Sequence, residues 1–134
     1  MGKEALPMKK NILLIGADGF VGEILKAGLQ EAGYEVYGTV FMREPGKNEV
    51  RLDLSKAEDF RKLPTVPFAA VVNNAGIVDQ TMPRKLMFAV NAEGVRHATE
   101  WAKQANVPHF IQISSIGVYG LRSMGQNRDE ASTP

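Results

Sequence analysis

The chain has 134 residues and 14.7 kDa, the length of one domain, and its 44% hydrophobic and 23% charged residues describe soluble globular material that can bury a core. A balance of 16 Lys and Arg against 15 Asp and Glu, net +1, gives no basic footprint for nucleic acid or an anionic membrane; no apolar run approaches the roughly 20 residues of a membrane span, and Met1–Lys10 lacks the apolar stretch of a signal peptide. The absence of Cys excludes disulfides, thiol nucleophiles and thiolate zinc, and His97 and His109 are too few for a His-rich cluster, so a cytoplasmic protein without a metal is expected.

Met1–Pro7 reads as a cloning remainder ahead of a natural start at Met8. Asn11–Ile15 is a short continuous apolar run closed by glycine, as suits a strand buried on both faces of a parallel sheet. From Val21 the residues Val21, Leu25, Gly28, Leu29 and Ala32 form the stripe of an amphipathic helix, and Gly33 stands where a C-terminal glycine belongs. Glu35–Phe41 and Glu49–Leu54 read as the second and third strands. A short helix follows over Ser55–Leu63, with Ser55 as N-cap and Glu58 as its capping-box partner.

Phe68–Asn73 reads as a fourth buried strand, Pro83–Ala105 as the longest helix with Thr81 as N-cap, and Phe110–Ser114 as a fifth strand. Val95, Ala98, Trp101 and Ala102 are the buried stripe of that helix, and His97 has no carboxylate at metal-ligand spacing. From Gly117 onward no strand or helix is readable. This alternation predicts an α/β fold, a doubly wound parallel sheet of order 3-2-1-4-5.

Between the first strand and its helix lies Gly16-Ala17-Asp18-Gly19-Phe20-Val21-Gly22. Gly16 permits the tight exit from the strand, Gly19 lets backbone approach a pyrophosphate, and Gly22 lets the helix pack close on the sheet. The Phe20 and Val21 amides then point from the helix N-terminus at the anion. A glycine trio alone is weak, but its place between a buried strand and an amphipathic helix is the context a dinucleotide site requires.

These residues resemble the short-chain dehydrogenase/reductase superfamily, specifically the extended branch of NAD(P)-dependent epimerases and dehydratases. The resemblance covers nearly the whole chain: the glycine turn, Asp53-Leu54 closing the third strand, Asn73-Asn74-Ala75-Gly76 closing the fourth, Asn91 and Gly94 in the long helix, and Ser114-Ser115-Ile116-Gly117-Val118-Tyr119-Gly120 after the fifth. It implies that Asp53 accepts from the adenine amino group while the Leu54 amide meets a ring nitrogen, Asp53 being otherwise a strand-end cap. It also implies that Asn74, Ala75 and Gly76 line the cofactor's ribose and pyrophosphate. Asn91 would help hold an active-site water, and Ser115 would hydrogen-bond the reacting substrate oxygen with Ser114 as its more buried neighbour. Tyr119 would pack at the site wall.

The family's base is a tyrosine with lysine four residues later, and that pair is missing: Ser123 follows Tyr119 at that distance. Asp129–Pro134 resembles the loop that precedes the family's base, so residues 1–134 are expected to be the Rossmann part of a longer enzyme. That enzyme would transfer hydride on a nucleotide-sugar or similar hydroxy or keto substrate, and would be a homo-oligomer. Alone, this part is expected to be inactive and to leave Phe110, Ile111, Ile113, Ile116 and Val118 short of cover. The rival reading is a non-catalytic dinucleotide sensor, in which the missing pair is genuine. The end of the second strand, Val40-Phe41-Met42-Arg43, offers no carboxylate to repel a 2′-phosphate; Arg43, with Lys47, would pair with one, which favours NADP over NAD.

Overall fold

A computed structural model describes residues 8–120, 125 and 127–133, so Met1–Pro7 lie outside the described residues. The apolar runs become β1 (Asn11–Ile15), β2 (Glu35–Val40), β3 (Glu49–Arg51), β4 (Phe68–Asn73) and β5 (Phe110–Gln112), all parallel, in the order β3-β2-β1-β4-β5. This is the sheet predicted from the alternation of elements. β1 lies at its centre, between β2 and β4, and its last four residues are buried.

Between β1 and β2 runs α1 (Phe20–Glu31), which ends where Gly33 adopts φ +92° and the Tyr34 amide donates to the Leu29 carbonyl. That closure satisfies carbonyls the helix end would leave open. On this side of the sheet α1 lays Leu25 and Leu29 over Ile12, Leu14, Val36, Val40, Ala70 and Val72. The other side is covered by α3 (Gly94–Gln104), whose Ala98 and Ala102 press on Leu13, Ile15, Leu52, Leu54, Phe60, Phe68 and Val71. Trp101 sits edge-on to Phe68 at 5.9 Å, and Val95 is half-buried, so the predicted stripe does face the core.

β3 and β5 stop at Arg51 and Gln112, short of the predicted Leu54 and Ser114, and three further local expectations fail for identifiable reasons. The segment after β3 is a 3-10 helix, Ala57–Lys62, without a side-chain cap: the Ser55 hydroxyl donates to Asp53 instead, and it is Asp59, not Glu58, that reaches back to accept from the Asp53 amide. The long helix comes in pieces, α2 (Arg84–Phe88), a π-helical turn over Ala89–Glu93, and α3. Its N-cap is Pro83, because the Thr81 hydroxyl donates to Asp79. After β5 a short 3-10 turn, Ile116–Tyr119, forms where no element was read.

β3 is secured to β2 by an unusual pairing. Gly38 lies opposite Glu49, and a β-carbon on Gly38 would stand 2.9 Å from the Ala17 β-carbon and 3.3 Å from Glu49 Cγ. The missing side chain makes room for a glutamate whose own side chain is 1% exposed. β5 has less cover: Ile111 is 49% and Ile113 41% exposed, and Ile116 and Val118 also face solvent.

Candidate functional site

The glycine turn works as a set of three different spaces. Gly16 has φ +80°, and a β-carbon there would meet the Ala75 backbone at 2.8 Å; at Gly22 it would collide with the Gly16 carbonyl oxygen. Both are needed for the turn to close. Gly19 is extended at φ −76°, and the nearest atoms to its absent β-carbon are Gly16 O at 3.6 Å and Asn74 Nδ2 at 3.8 Å. Gly19 therefore leaves an open approach rather than a left-handed bend. Beyond it, the Phe20, Val21 and Gly22 amides have no acceptor among the described residues, as the first turn of a helix leaves them.

Thr39 anchors this turn from β2. Its hydroxyl accepts from the Gly16 amide at 3.1 Å and its carbonyl from the Ala17 amide at 2.8 Å. Sequence reasoning missed it; the signal was a small hydroxyl residue between Gly38 and Val40 at the buried end of the strand, where Thr39 is 2% exposed. From the same turn Asp18 reaches to the end of β2, where its Oδ2 accepts from the Phe41 amide at 2.8 Å and the Met42 amide at 2.6 Å.

This corrects the expectation that the end of β2 holds no carboxylate. Arg43 does not line the cleft either. Its Nη1 and Nη2 grip Glu49 at 2.6 and 2.8 Å, while Lys26 Nζ and the Gly46 amide complete the glutamate's shell at 2.7 and 2.8 Å. The Arg43 hydrogen bonds hold the Glu49 carboxyl far below the usual carboxylate range, and Glu49 in turn raises the guanidinium.

On the opposite wall Asp53 Oδ1 accepts from both the amide and the hydroxyl of Ser55, the strand-end turn weighed against its adenine role. Its Oδ2 stands 3.7 Å from Lys56 Nζ. The Leu54 amide has no acceptor among the described residues. Asn73 is fully buried and ties β4 to β5 through Gln112, whereas Asn74 stands beside the glycine turn with Nδ2 3.4 Å from the Gly16 carbonyl. Asn91 makes a two-point clamp, accepting from the Ile77 amide at 2.7 Å and donating to the Ile77 carbonyl at 2.8 Å.

Ser115 caps the 3-10 turn by accepting from the Gly117 amide at 3.1 Å. Ser114 and Ser115 are both exposed. The Tyr119 hydroxyl donates to the Asp129 carbonyl. Residues 121–124, including Ser123, lie outside the described residues.

These elements enclose a cleft of about 340 Å³ beyond the carboxyl ends of β1, β2 and β4, where the strand order reverses. Gly16, Asp18, Gly19, Asp53, Leu54, Asn74, Ala75 and Gly76 line it, with Ile77, Met82, Leu86 and Val90 as an apolar wall. Phe20, Val21 and Gly22 stand at the helix start behind Gly19; Asn91 and Ser115 are not in the lining. Among the described residues no group of three or more His, Cys, Asp and Glu could hold a metal, and no helix is long and apolar enough to cross a membrane.

The model of the NAD dependent epimerase/dehydratase family matches residues 12–134. The chain belongs to that family. Among curated relatives, it is 27% identical over 132 residues to the N-acetyl-alpha-D-glucosaminyl-diphospho-ditrans,octacis-undecaprenol 4-epimerase of Escherichia coli O157:H7, covering 95% of this chain and 39% of the relative. Among solved structures, it is similar to a short-chain dehydrogenase/reductase superfamily protein of Agrobacterium tumefaciens with bound NAD, at TM-score 0.72 and 32% identity, over 82% of this chain and 34% of that one. The ADP-L-glycero-D-manno-heptose-6-epimerase of Helicobacter pylori matches at TM-score 0.72 and 26% identity, over 84% of this chain and 41% of its own. The chain thus spans well under half the length of these members of the superfamily whose resemblance its motifs carry.

Proposed function

We propose that this chain is the nicotinamide-dinucleotide-binding part of an epimerase, dehydratase or reductase acting on a nucleotide-sugar or similar hydroxy or keto substrate. One observation carries the reading: the cleft at the switch point of the sheet is lined by an open glycine, Gly19, and by Leu54 with its free amide, and three helix-start amides without acceptors follow directly after that glycine. The residues present fit a dinucleotide. Phe20, Val21 and Gly22 would take the pyrophosphate, Asp53 and Leu54 the adenine, and Asn74, Ala75 and Gly76 the ribose side. The chemistry such a cofactor supplies is reversible acceptance of a hydride.

Ser115 would donate its hydroxyl proton to a substrate oxygen, since among the described residues its Oγ only accepts, from Gly117. Asn91 acts through Ile77, fixing the segment after Gly76 against the π-helical turn. The relatives' names motivate the substrate class: two of them are epimerases of diphosphate-linked sugars. Ser115 outside the cleft lining is also what a non-catalytic binding module would have. A turnover assay of the chain joined to a Tyr–Lys helix separates the two, with loss on Ser115→Ala expected for the enzyme.

Titration calorimetry with NAD and NADP tests the site itself. Binding of at least one is expected for the natural sequence, and Gly19→Val should abolish it while leaving the unfolding midpoint unchanged, because the added branches enter the cleft and no protein atom lies closer than 3.6 Å to the new β-carbon. Normal binding by Gly19→Val, or none by the natural sequence, overturns the assignment.

A further inference from the structure

An anion held at the end of a strand needs donors, and adjacent backbone amides left open there are a ready anion nest. Here the two amides at the end of β2, Phe41 and Met42, are already filled by the carboxylate of Asp18, an internal anion supplied from the glycine turn 23 and 24 residues earlier. Asp18 lines the cleft and is half-buried, and its Oδ1 has no protein donor among the described residues.

The cations nearby are engaged elsewhere. Arg43 and Lys26 both pair with Glu49, and Arg51 pairs with Glu44. Glu23 in the first turn of α1 makes no ion pair among the described residues, and Asp18 and Glu23 feel Arg43 only through space, since its hydrogen bonds go to Glu49 and the Glu44 carbonyl. A 2′-phosphate placed at the end of β2 would meet filled amides and a carboxylate with no side-chain donor among the described residues, whereas a ribose hydroxyl would meet a free acceptor oxygen.

We infer that Asp18 is the cofactor-selecting residue of this chain, doing from the glycine turn what an acid at the end of β2 does elsewhere, and that it selects NAD against NADP. The inference rests on the dinucleotide site proposed above and reverses the preference read from Arg43. Both premises of that preference, an end of β2 without a carboxylate and an available Arg43, are contradicted by the geometry.

The experiment is calorimetric titration of NAD and NADP into the natural sequence, Asp18→Asn and Arg43→Ala, with the affinity ratio read within each protein so that partial loss of fold cancels. The natural sequence should bind NAD at least about tenfold more tightly. Asp18→Asn should narrow that ratio by gaining NADP affinity, and Arg43→Ala should leave it unchanged. If the natural sequence binds neither dinucleotide, the site assignment itself fails. Equal or tighter NADP binding overturns the selectivity alone, and so does a ratio that Asp18→Asn leaves intact. Amide resonances of Phe41 and Met42 give a second reading on the natural sequence: they should hold their positions on addition of NADP, and a large shift of both would show the phosphate displacing Asp18.

Discussion

The two edges of the sheet, β3 and β5, are each three residues long, yet they are secured by different physics. β3 is pinned by a buried carboxylate: Glu49, 1% exposed, takes donors from Arg43, Lys26 and Gly46. β5 is held by its backbone ladder to β4, the Asn73–Gln112 bond and Phe110, while Ile111 keeps 49% of its surface in water. An edge pinned by charge responds to pH, and one held by partial apolar cover does not. The centre of the sheet sets the scale for both.

Truncating the centre should cost most. Leu13→Ala removes a fully buried side chain from the core and should destabilise by about 2–5 kcal/mol in urea unfolding. A loss below that of either edge substitution would mean that the centre of the sheet is not its most stabilising part.

Next comes the charged edge. Glu49→Gln keeps the shape but weakens charge-assisted hydrogen bonds to Arg43 and Lys26, both partly solvated, for about 1–3 kcal/mol. Because the folded pKa of Glu49 lies far below its unfolded value of about 4.3, its contribution is complete above that pH and is lost progressively as pH falls from there toward the folded pKa. The melting temperature should therefore be level from neutrality to about pH 5, then fall, and Glu49→Gln should flatten that fall. Asp59 and Asp79, also lowered by their hydrogen bonds, keep the acid limb from vanishing. An unchanged acid limb in Glu49→Gln would show that the cluster does not hold β3.

The smallest effect belongs to the apolar edge. Ile111→Ser should change stability by less than about 1 kcal/mol, because about half of that side chain is already wet. Light scattering should show less self-association, since a half-covered apolar edge is a pairing surface. A loss as large as that of Leu13→Ala would mean that the edge is more deeply covered than its exposure indicates.

Much of this was legible in the residues. The apolar runs at Asn11–Ile15 and Phe68–Asn73 and the stripe ending at Gly33 gave strands and helix where they form, because buried parallel strands and Gly-terminated helices impose those patterns locally. Gly19 was legible for the same reason, since it opens a helix, whereas Leu54 and Gly76, two or three residues beyond their strands, were legible through the motifs that carry the family resemblance. What stayed hidden depends on distant partners. Asp18 lies in the glycine turn but acts on amides of Phe41 and Met42, and Arg43 looked available because Glu49, six residues on, gave no sign of burial. Ser55 and Thr81 have the chemistry of caps, but an aspartate two residues before each captured the hydroxyl.

The space left by Gly38 carries a consequence for how this sequence can change. Ala17, Gly38 and Glu49 fill one small volume from three separate stretches of chain, so none is an independent position. A larger residue at 38 meets the Ala17 β-carbon first, at 2.9 Å, and Glu49 Cγ next, at 3.3 Å, so it becomes tolerable when position 17 gives way, while Glu49 has to stay as the shared partner of Arg43 and Lys26. Substitutions at 17 and 38 should therefore be strongly non-additive, with the double change Ala17→Gly and Gly38→Ala less harmful than the two single losses summed.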